Sequence, residues 1–231
     1  MTEENYTVFW DKRFGRNFLK VVALITMLCD HIAFVFISKQ NDTQLYNVLR
    51  MIGRISFPVI CFMITEGFRY TSNRKKYLQR MFIFAVISEI PYDLVVSNSF
   101  IDINNQNVMW TLLIGLLVLM GIEKYSGRID EQMICIFAGS AVAFITKVDY
   151  SFYGILIIAV FYMCRENHYK MFIIIMILLM LQGRKEAFGI LSIPFIMAYD
   201  SDKEEKKLPK YFFYIFYPLH LTVLYMVKIF I

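Results

Sequence analysis

Residues 18–38 read FLKVVALITMLCDHIAFVFIS, a stretch in which only Lys20, Asp30 and His31 are acidic or basic. A helix needs about 20 apolar residues to cross a hydrocarbon core roughly 30 Å thick, and this stretch supplies them. Its polar interruption falls inside the span, where an ionisable side chain costs several kcal/mol and normally has a partner or a role. Working outward, further apolar blocks run near Leu49 to Phe68, Tyr77 to Ser97, Val108 to Gly121, Gln132 to Thr146, Phe152 to Cys164, Tyr169 to Gln182, Ala187 to Tyr199 and Tyr211 to Ile231.

The whole chain is 58% hydrophobic and 17% aromatic, with a mean hydropathy of +0.52. Soluble domains carry about 45–50% apolar residues. Polar stretches between the blocks are short, so the expectation is an all-α integral membrane protein. It is a polytopic bundle of about nine transmembrane helices, eight to ten, forming one domain over residues 1–231. The sixth to eighth blocks are short, consistent with tilted or re-entrant segments. The polar N-terminal stretch lacks the features of a secretory leader, so the first helix is expected to be retained.

Loop charge sets the orientation, because Lys and Arg concentrate in cytoplasmic loops. With the N-terminus cytoplasmic, the inside loops hold Lys12, Arg13, Arg16, Arg69, Arg74, Lys75, Lys76, Arg80, Lys124, Arg128, Arg165, Lys170, Lys203, Lys206, Lys207 and Lys210, sixteen in all. The outside loops hold four, Lys39, Lys147, Arg184 and Lys185. The formal charge of +5 thus follows topology and anionic lipid and does not point to nucleic acid. The expected location is a bacterial cytoplasmic membrane, crossed several times. Cys29, Cys61, Cys135 and Cys164 have neither zinc-site nor disulfide-framework spacing and read as packing residues; no metal site is expected.

The ionisable residues inside the blocks are the candidate chemistry. His31 and His220 stand in the first and last blocks at similar depth, and histidine is the natural proton carrier near neutral pH. Adjacent helical residues point about 100° apart, so Asp30 and His31 need not touch each other, and one of the two can partner another helix. Arg50 and Arg54 share one helix face, as do Glu89 and Asp93, so these four are expected to form a buried ionic cluster. Glu66 leads into a dense positive loop, Arg69, Arg74, Lys75, Lys76 and Arg80. That loop suits either lipid headgroups or a cytosolic polyphosphate donor such as coenzyme A.

Several ordered motifs go beyond hydropathy. They are Leu19-Lys20-Val21-Val22-Ala23 with Met27 and Asp30-His31-Ile32; Arg50-Met51-Ile52-Gly53-Arg54-Ile55-Ser56-Phe57-Pro58; Glu66-Gly67-Phe68; Thr71, Asn73, Arg74, Tyr77 and Arg80; Ser88-Glu89-Ile90-Pro91-Tyr92-Asp93; and Tyr214-Ile215-Phe216-Tyr217-Pro218-Leu219-His220-Leu221. In this order they resemble the TraX family, whose namesake is a conjugation protein associated with N-terminal acetylation of F pilin. The resemblance is strongest over residues 19–93 and 211–224. It is weaker through Thr111 and Gly115.

The resemblance implies a membrane acyltransferase that takes acetyl from cytosolic acetyl-CoA and passes it to an amine or hydroxyl, a peptide or pilin N-terminus among the candidates. In the acyltransferase-3 class an Arg or Glu precedes the first-helix His by ten intervening residues; here Lys20 stands at that spacing from His31. On this reading His31 is the base, with Asp30 or Glu89 stabilising its imidazolium. His220, Arg54 or a backbone donor serves the oxyanion. Arg54, Glu66, Asp93, Arg69, Arg74, Lys75 and Arg80 are the binding set, and the acceptor enters from the side opposite acetyl-CoA. Intramembrane Asp, His and Glu suit a proton-coupled transporter or exchanger equally well, and a structural part in a secretion assembly is a third reading. The sequence specifies neither the acceptor nor the oligomeric state.

Overall fold

The computed structural model describes residues 13–37, 42–203, 205, 209 and 211–230. The positions Lys12, Lys39, Lys206, Lys207 and Lys210 of the charge argument, and the terminal Ser38 and Ile231 of two blocks, lie outside the described residues. Among those described, the fold is all-helical, with two isolated bridges, Phe14 to Tyr199 and Gln106 to Val148. The helices are α1 (Arg16–Phe36), α2 (Thr43–Gly53), α3 (Ser56–Tyr70), α4 (Arg74–Val96), α5 (Val108–Lys124), α6 (Ile129–Ile145), α7 (Ser151–Met163) and α8 (His168–Gln182), then a 3₁₀ segment Glu186–Ser192, α9 (Ile193–Met197) and α10 (Phe212–Phe230).

The nine expected blocks are all present, and two are reshaped. The block from Leu49 to Phe68 is broken into α2 and α3 at Arg54-Ile55. The cause is Pro58, which has no N–H for the Arg54 carbonyl and so interrupts the α-helical ladder there. The chain tightens instead, Arg54 N bonding Met51 O and Ile55 N bonding Ile52 O, both at 3.2 Å. The block from Ala187 to Tyr199 is a 3₁₀ segment followed by a five-residue helix. At about 2.0 and 1.5 Å per residue these reach roughly 21 Å, short of a hydrocarbon core.

Among the described residues, three helical stretches are long and apolar enough to cross a membrane: α1, the α2–α3 pair and α10. Helices α3 and α5 form the interior. Ten of the fifteen residues of α3 and eleven of the seventeen of α5 are buried, which requires neighbours on every side. Those neighbours are α1, α5, α7 and the 3₁₀ segment around α3, and α3, α4, α6 and α7 around α5. Helix α10 closes the bundle against α1 and α4.

The periphery is apolar. Ile25, Phe82, Ile90, Phe137, Phe144, Ile173, Leu181 and Leu219 are all exposed, far more large apolar surface than a water-soluble monomer presents. Close approach of the helices depends on particular glycines. A Cβ on Gly53 would lie 2.3 Å from the Asp30 Cβ, so only glycine lets α2 sit this near α1. At the lower end of the bundle, where α1 starts, Glu205 caps that helix by accepting from Asn17 N at 2.6 Å, offsetting unpaired N–H groups and the helix dipole together.

Candidate functional site

Three cavities follow one another along the bundle. The lower one, about 300 Å³, is lined by Arg16, Lys20, Tyr77, Arg80 and Tyr214 among others. The central one, about 240 Å³, is lined by Asp30, His31, Arg54, Tyr92, Asp149 and Tyr150 among others. The upper one, about 310 Å³, lies among Asn105, Lys147, Tyr153 and Gln182. Lower and central cavities share Met27, Ile60, Val108 and Tyr217 as a common wall. Central and upper cavities share Tyr92, Asp149 and Tyr150. The lower cavity is at the small end of the range that holds small-molecule ligands.

His31 on α1 lines the central cavity, and its ring partner comes from α10: His31 Nδ1 lies 2.8 Å from His220 Nε2. His220 Nδ1 in turn lies 2.8 Å from the Phe216 carbonyl, one turn earlier on its own helix. A carbonyl only accepts, so His220 Nδ1 carries the proton. With both rings neutral, His220 Nε2 is then the acceptor and His31 Nδ1 the donor. The tautomer of His31 follows: its Nε2 keeps a lone pair.

The neighbouring Asp30 has other partners. Its Oδ2 accepts from Arg50 Nη1 at 2.6 Å and its Oδ1 from Arg54 Nη2 at 2.8 Å. Arg54 also reaches Glu186 at 3.5 Å. Both arginines project from the stretch that Gly53 brings against α1, so the charges meet in a largely buried fork. Such a fork neutralises groups that would be costly in lipid.

This arrangement corrects the expected ionic cluster. Arg50 and Arg54 pair with Asp30 and Glu186, and Glu89 and Asp93 are elsewhere, because α2 packs on α1 whereas the carboxylates of α4 face α5 and the loop before it. Glu89 Oε2 accepts from Trp110 Nε1 at 2.7 Å and from the Asn107 side chain. Asp93 Oδ2 accepts from Asp102 N at 2.9 Å. Asp30 is likewise not bonded to the His31 ring; that position belongs to His220.

The basic set also divides. Arg80 lines the lower cavity. Arg69 and Lys75 are exposed. Arg74 bonds Glu123 at 2.8 Å and stacks over Phe68, and buried Glu66 meets Arg165 at 3.5 Å. Arg16 and Lys20 of α1 take the cavity positions instead, with Lys20 Nζ 4.4 Å from the Phe213 ring centre.

Asp149 and Tyr150 were not legible as site residues. They stand in the five-residue connection, 146–150, that leads from α6 into the first turn of α7, without glycine, asparagine or any motif. Its backbone is unusual only in three dimensions: Lys147 (φ 52°), Tyr150 (φ 62°) and Ser151 (φ 46°) all occupy the left-handed region. Non-glycine residues persist there only when their surroundings hold them. Here the Gln106–Val148 bridge does so, with Gln106 N to Lys147 O at 3.1 Å and Asp149 N to Gln106 O at 2.9 Å, and the Tyr150 ring stacks on Phe57. Burial pushes the Asp149 carboxyl up to about 6, opposed by nearby Arg54.

The family model described as TraX protein matches residues 15–228. The chain is similar to the "Probable fimbrial assembly protein FimC, serogroup H1" of Dichelobacter nodosus, 31% identical over 237 residues that cover 92% of this chain and 95% of that protein. No solved structure matches. A match over nearly the full length leads to one conclusion: this chain belongs to the TraX family.

Proposed function

We propose that this protein is a multi-pass membrane acetyltransferase, N-terminus cytoplasmic, that moves acetyl from acetyl-CoA to an amine or hydroxyl acceptor through His31. The observation that carries the reading is the imidazole pair. His220 fixes the tautomer of His31 in the way a carboxylate does in hydrolase triads, and leaves a basic nitrogen on a residue that lines an internal cavity. Family membership supports the acyl chemistry by analogy.

In this mechanism the nucleotide end of acetyl-CoA rests at the lower cavity, where Arg16, Lys20 and Arg80 offer positive charge to its phosphates. The thioester extends past the shared wall at Met27 and Tyr217 toward the central cavity. The acceptor enters from the upper end. Its nitrogen or oxygen attacks the thioester carbonyl while His31 Nε2 removes a proton from it. Collapse of the tetrahedral adduct breaks the C–S bond, and the imidazolium returns that proton to the departing sulfur. The products are the acetylated acceptor and free coenzyme A, and His31 is regenerated.

The role of Asp30 changes accordingly. It anchors Arg50 and Arg54, which fixes α2 on α1 and so sets the wall opposite His31. The test is transfer of labelled acetyl from acetyl-CoA by purified full-length protein. Wild type is expected to turn over the donor, and His31→Ala to lose about 10²- to 10⁴-fold. Donor-independent proton uptake into liposomes, with no acetyl transfer, would favour the transporter instead.

A further inference from the structure

The carboxylates around the central cavity are not equivalent. Asp30 is held by two arginines, and Glu186 meets the far side of Arg54. The two cations are thereby matched by two anions. Asp149 is left over. Among the described residues its carboxylate makes no ion pair, and Oδ1 accepts only from Tyr150 N at 3.0 Å, within its own loop. It also lines both the central and the upper cavity, beside Tyr92 and Tyr150.

The loop that holds it is fixed from both sides. Beyond the bridge to Gln106, Lys147 Nζ donates to Asn104 Oδ1 at 2.7 Å. The Thr111 hydroxyl donates to the Asp149 carbonyl, and the glycine at 154 permits this contact, since a Cβ there would lie 2.5 Å from the Thr111 methyl. Three left-handed residues held by this many partners place a carboxylate that makes no ion pair at the junction of two cavities. The adjoining wall of the central cavity is aromatic and aliphatic, with Phe34, Phe57 and Val96.

We infer that Asp149 is the acceptor-recognition residue, and that it takes a primary ammonium carried on an apolar chain, admitted through the upper cavity. An ammonium donates to a carboxylate in a charge-assisted bond that a neutral hydroxyl cannot match. The proton count then closes. The ammonium R–NH₃⁺ first loses one proton to water in the upper cavity. The amine so formed attacks the thioester and loses a second proton to His31 Nε2, which passes it to the sulfur. The sum is R–NH₃⁺ plus acetyl-CoA giving the N-acetyl amide, coenzyme A and one released proton. Asp149 contacts the acceptor and sets its specificity here, and the inference takes its chemistry from the acetyltransferase reading.

The experiment compares octylamine with octanol as acceptors for wild type, Asp149→Asn and Asp149→Glu, using full-length protein in detergent and labelled acetyl-CoA. Wild type is expected to prefer the amine. Asp149→Asn keeps the bond to Tyr150 N and should raise KM for octylamine by roughly 10- to 100-fold, with a smaller change in KM for octanol. Asp149→Glu should restore part of the preference. An unchanged octylamine KM in Asp149→Asn, or no preference in wild type, overturns the inference. Heat stabilisation by octylamine without donor separates the two readings. If it is seen in wild type and lost in Asp149→Asn while no acetyl is transferred by any form, the ammonium site stands and the transferase reading falls. Absence of both overturns both.

Discussion

His31 and His220 are 189 positions apart in sequence, yet their ring nitrogens Nδ1 and Nε2 lie 2.8 Å apart. The contact joins the first described helix to the last, so the site exists only when the bundle is closed. Because the Phe216 carbonyl fixes the proton on His220 Nδ1, the direction of the bond between the rings is set. The first prediction concerns this direction. His220→Ala leaves His31 free to turn and to change tautomer, so kcat should fall by about 10- to 100-fold with the KM for acetyl-CoA unchanged. His220→Gln, whose amide oxygen can still accept from His31 Nδ1, should recover part of the loss. A purely structural His220 would instead lower the melting temperature and leave the pH profile of the folded fraction as in wild type.

The second prediction is about the charged fork. The side chains of Asp30 and Arg54 are 14% and 10% exposed, so removing either leaves the nearly buried network with an unbalanced charge. Asp30→Asn or Arg54→Gln should each cost about 3–5 kcal/mol of stability. The double variant should lose less than the sum, because the cost lies in the orphaned charge. Thermal unfolding in detergent reads this directly.

A third expectation rests on packing alone. Gly53→Ala places a methyl group 2.3 Å from the Asp30 Cβ, so α1 and α2 must part or Asp30 must leave its arginines. Overpacking of this kind costs about 1–3 kcal/mol. Activity should fall with it, whereas Gly127→Ala would act only through its left-handed backbone, there being nothing within 4 Å.

How much of this was legible in sequence depends on the range of the signal. Apolar blocks are local and periodic, so all nine appeared where expected. The break at Arg54 was written in Pro58 but hidden by the continuous hydropathy on either side. His31 and His220 stood out because lipid makes any ionisable residue conspicuous. Their partners were not legible: spacing of four placed Arg50 with Arg54 and Glu89 with Asp93 on common faces, but says nothing about which neighbour each face meets. Asp149 escaped for the opposite reason. A loop aspartate is ordinary, and its backbone strain leaves no trace in residue type.

The lower cavity separates two sets of basic residues. Lys20→Ala or Arg80→Ala should raise KM for acetyl-CoA by roughly 10- to 100-fold, a charge-assisted contact being worth about 1.5–3 kcal/mol. Acetyl-pantetheine, which lacks the nucleotide, should be used equally by variant and wild type. Lys75→Ala should change neither, since Lys75 is exposed and does not line the cavity. An equal effect of Lys75→Ala would move the phosphates out to the surface loop.

The pH dependence follows from Asp149. Its carboxyl is raised from the usual 3.8 to about 6, mainly by burial. A raised acid favours the protonated folded form, so this contribution to stability is full below about pH 4 and is lost as pH rises through about 6. Asp149→Asn should therefore flatten the decline in melting temperature between pH 4 and pH 7, a window set by those two values. The other titratable groups lining the two cavities with it, Asp30, His31, Arg50, Arg54, Tyr92, Lys147, Tyr150, Tyr153 and Tyr217, are retained in both proteins.

The central claim is that His31 moves a proton in acetyl transfer from acetyl-CoA. Its most direct test is a single-turnover measurement with labelled acetyl-CoA and octylamine on wild type and His31→Gln, each shown to be folded by thermal unfolding. Wild type is expected to form the amide and His31→Gln to lose about 10²- to 10⁴-fold, with donor binding retained. Equal rates in the two proteins would contradict it.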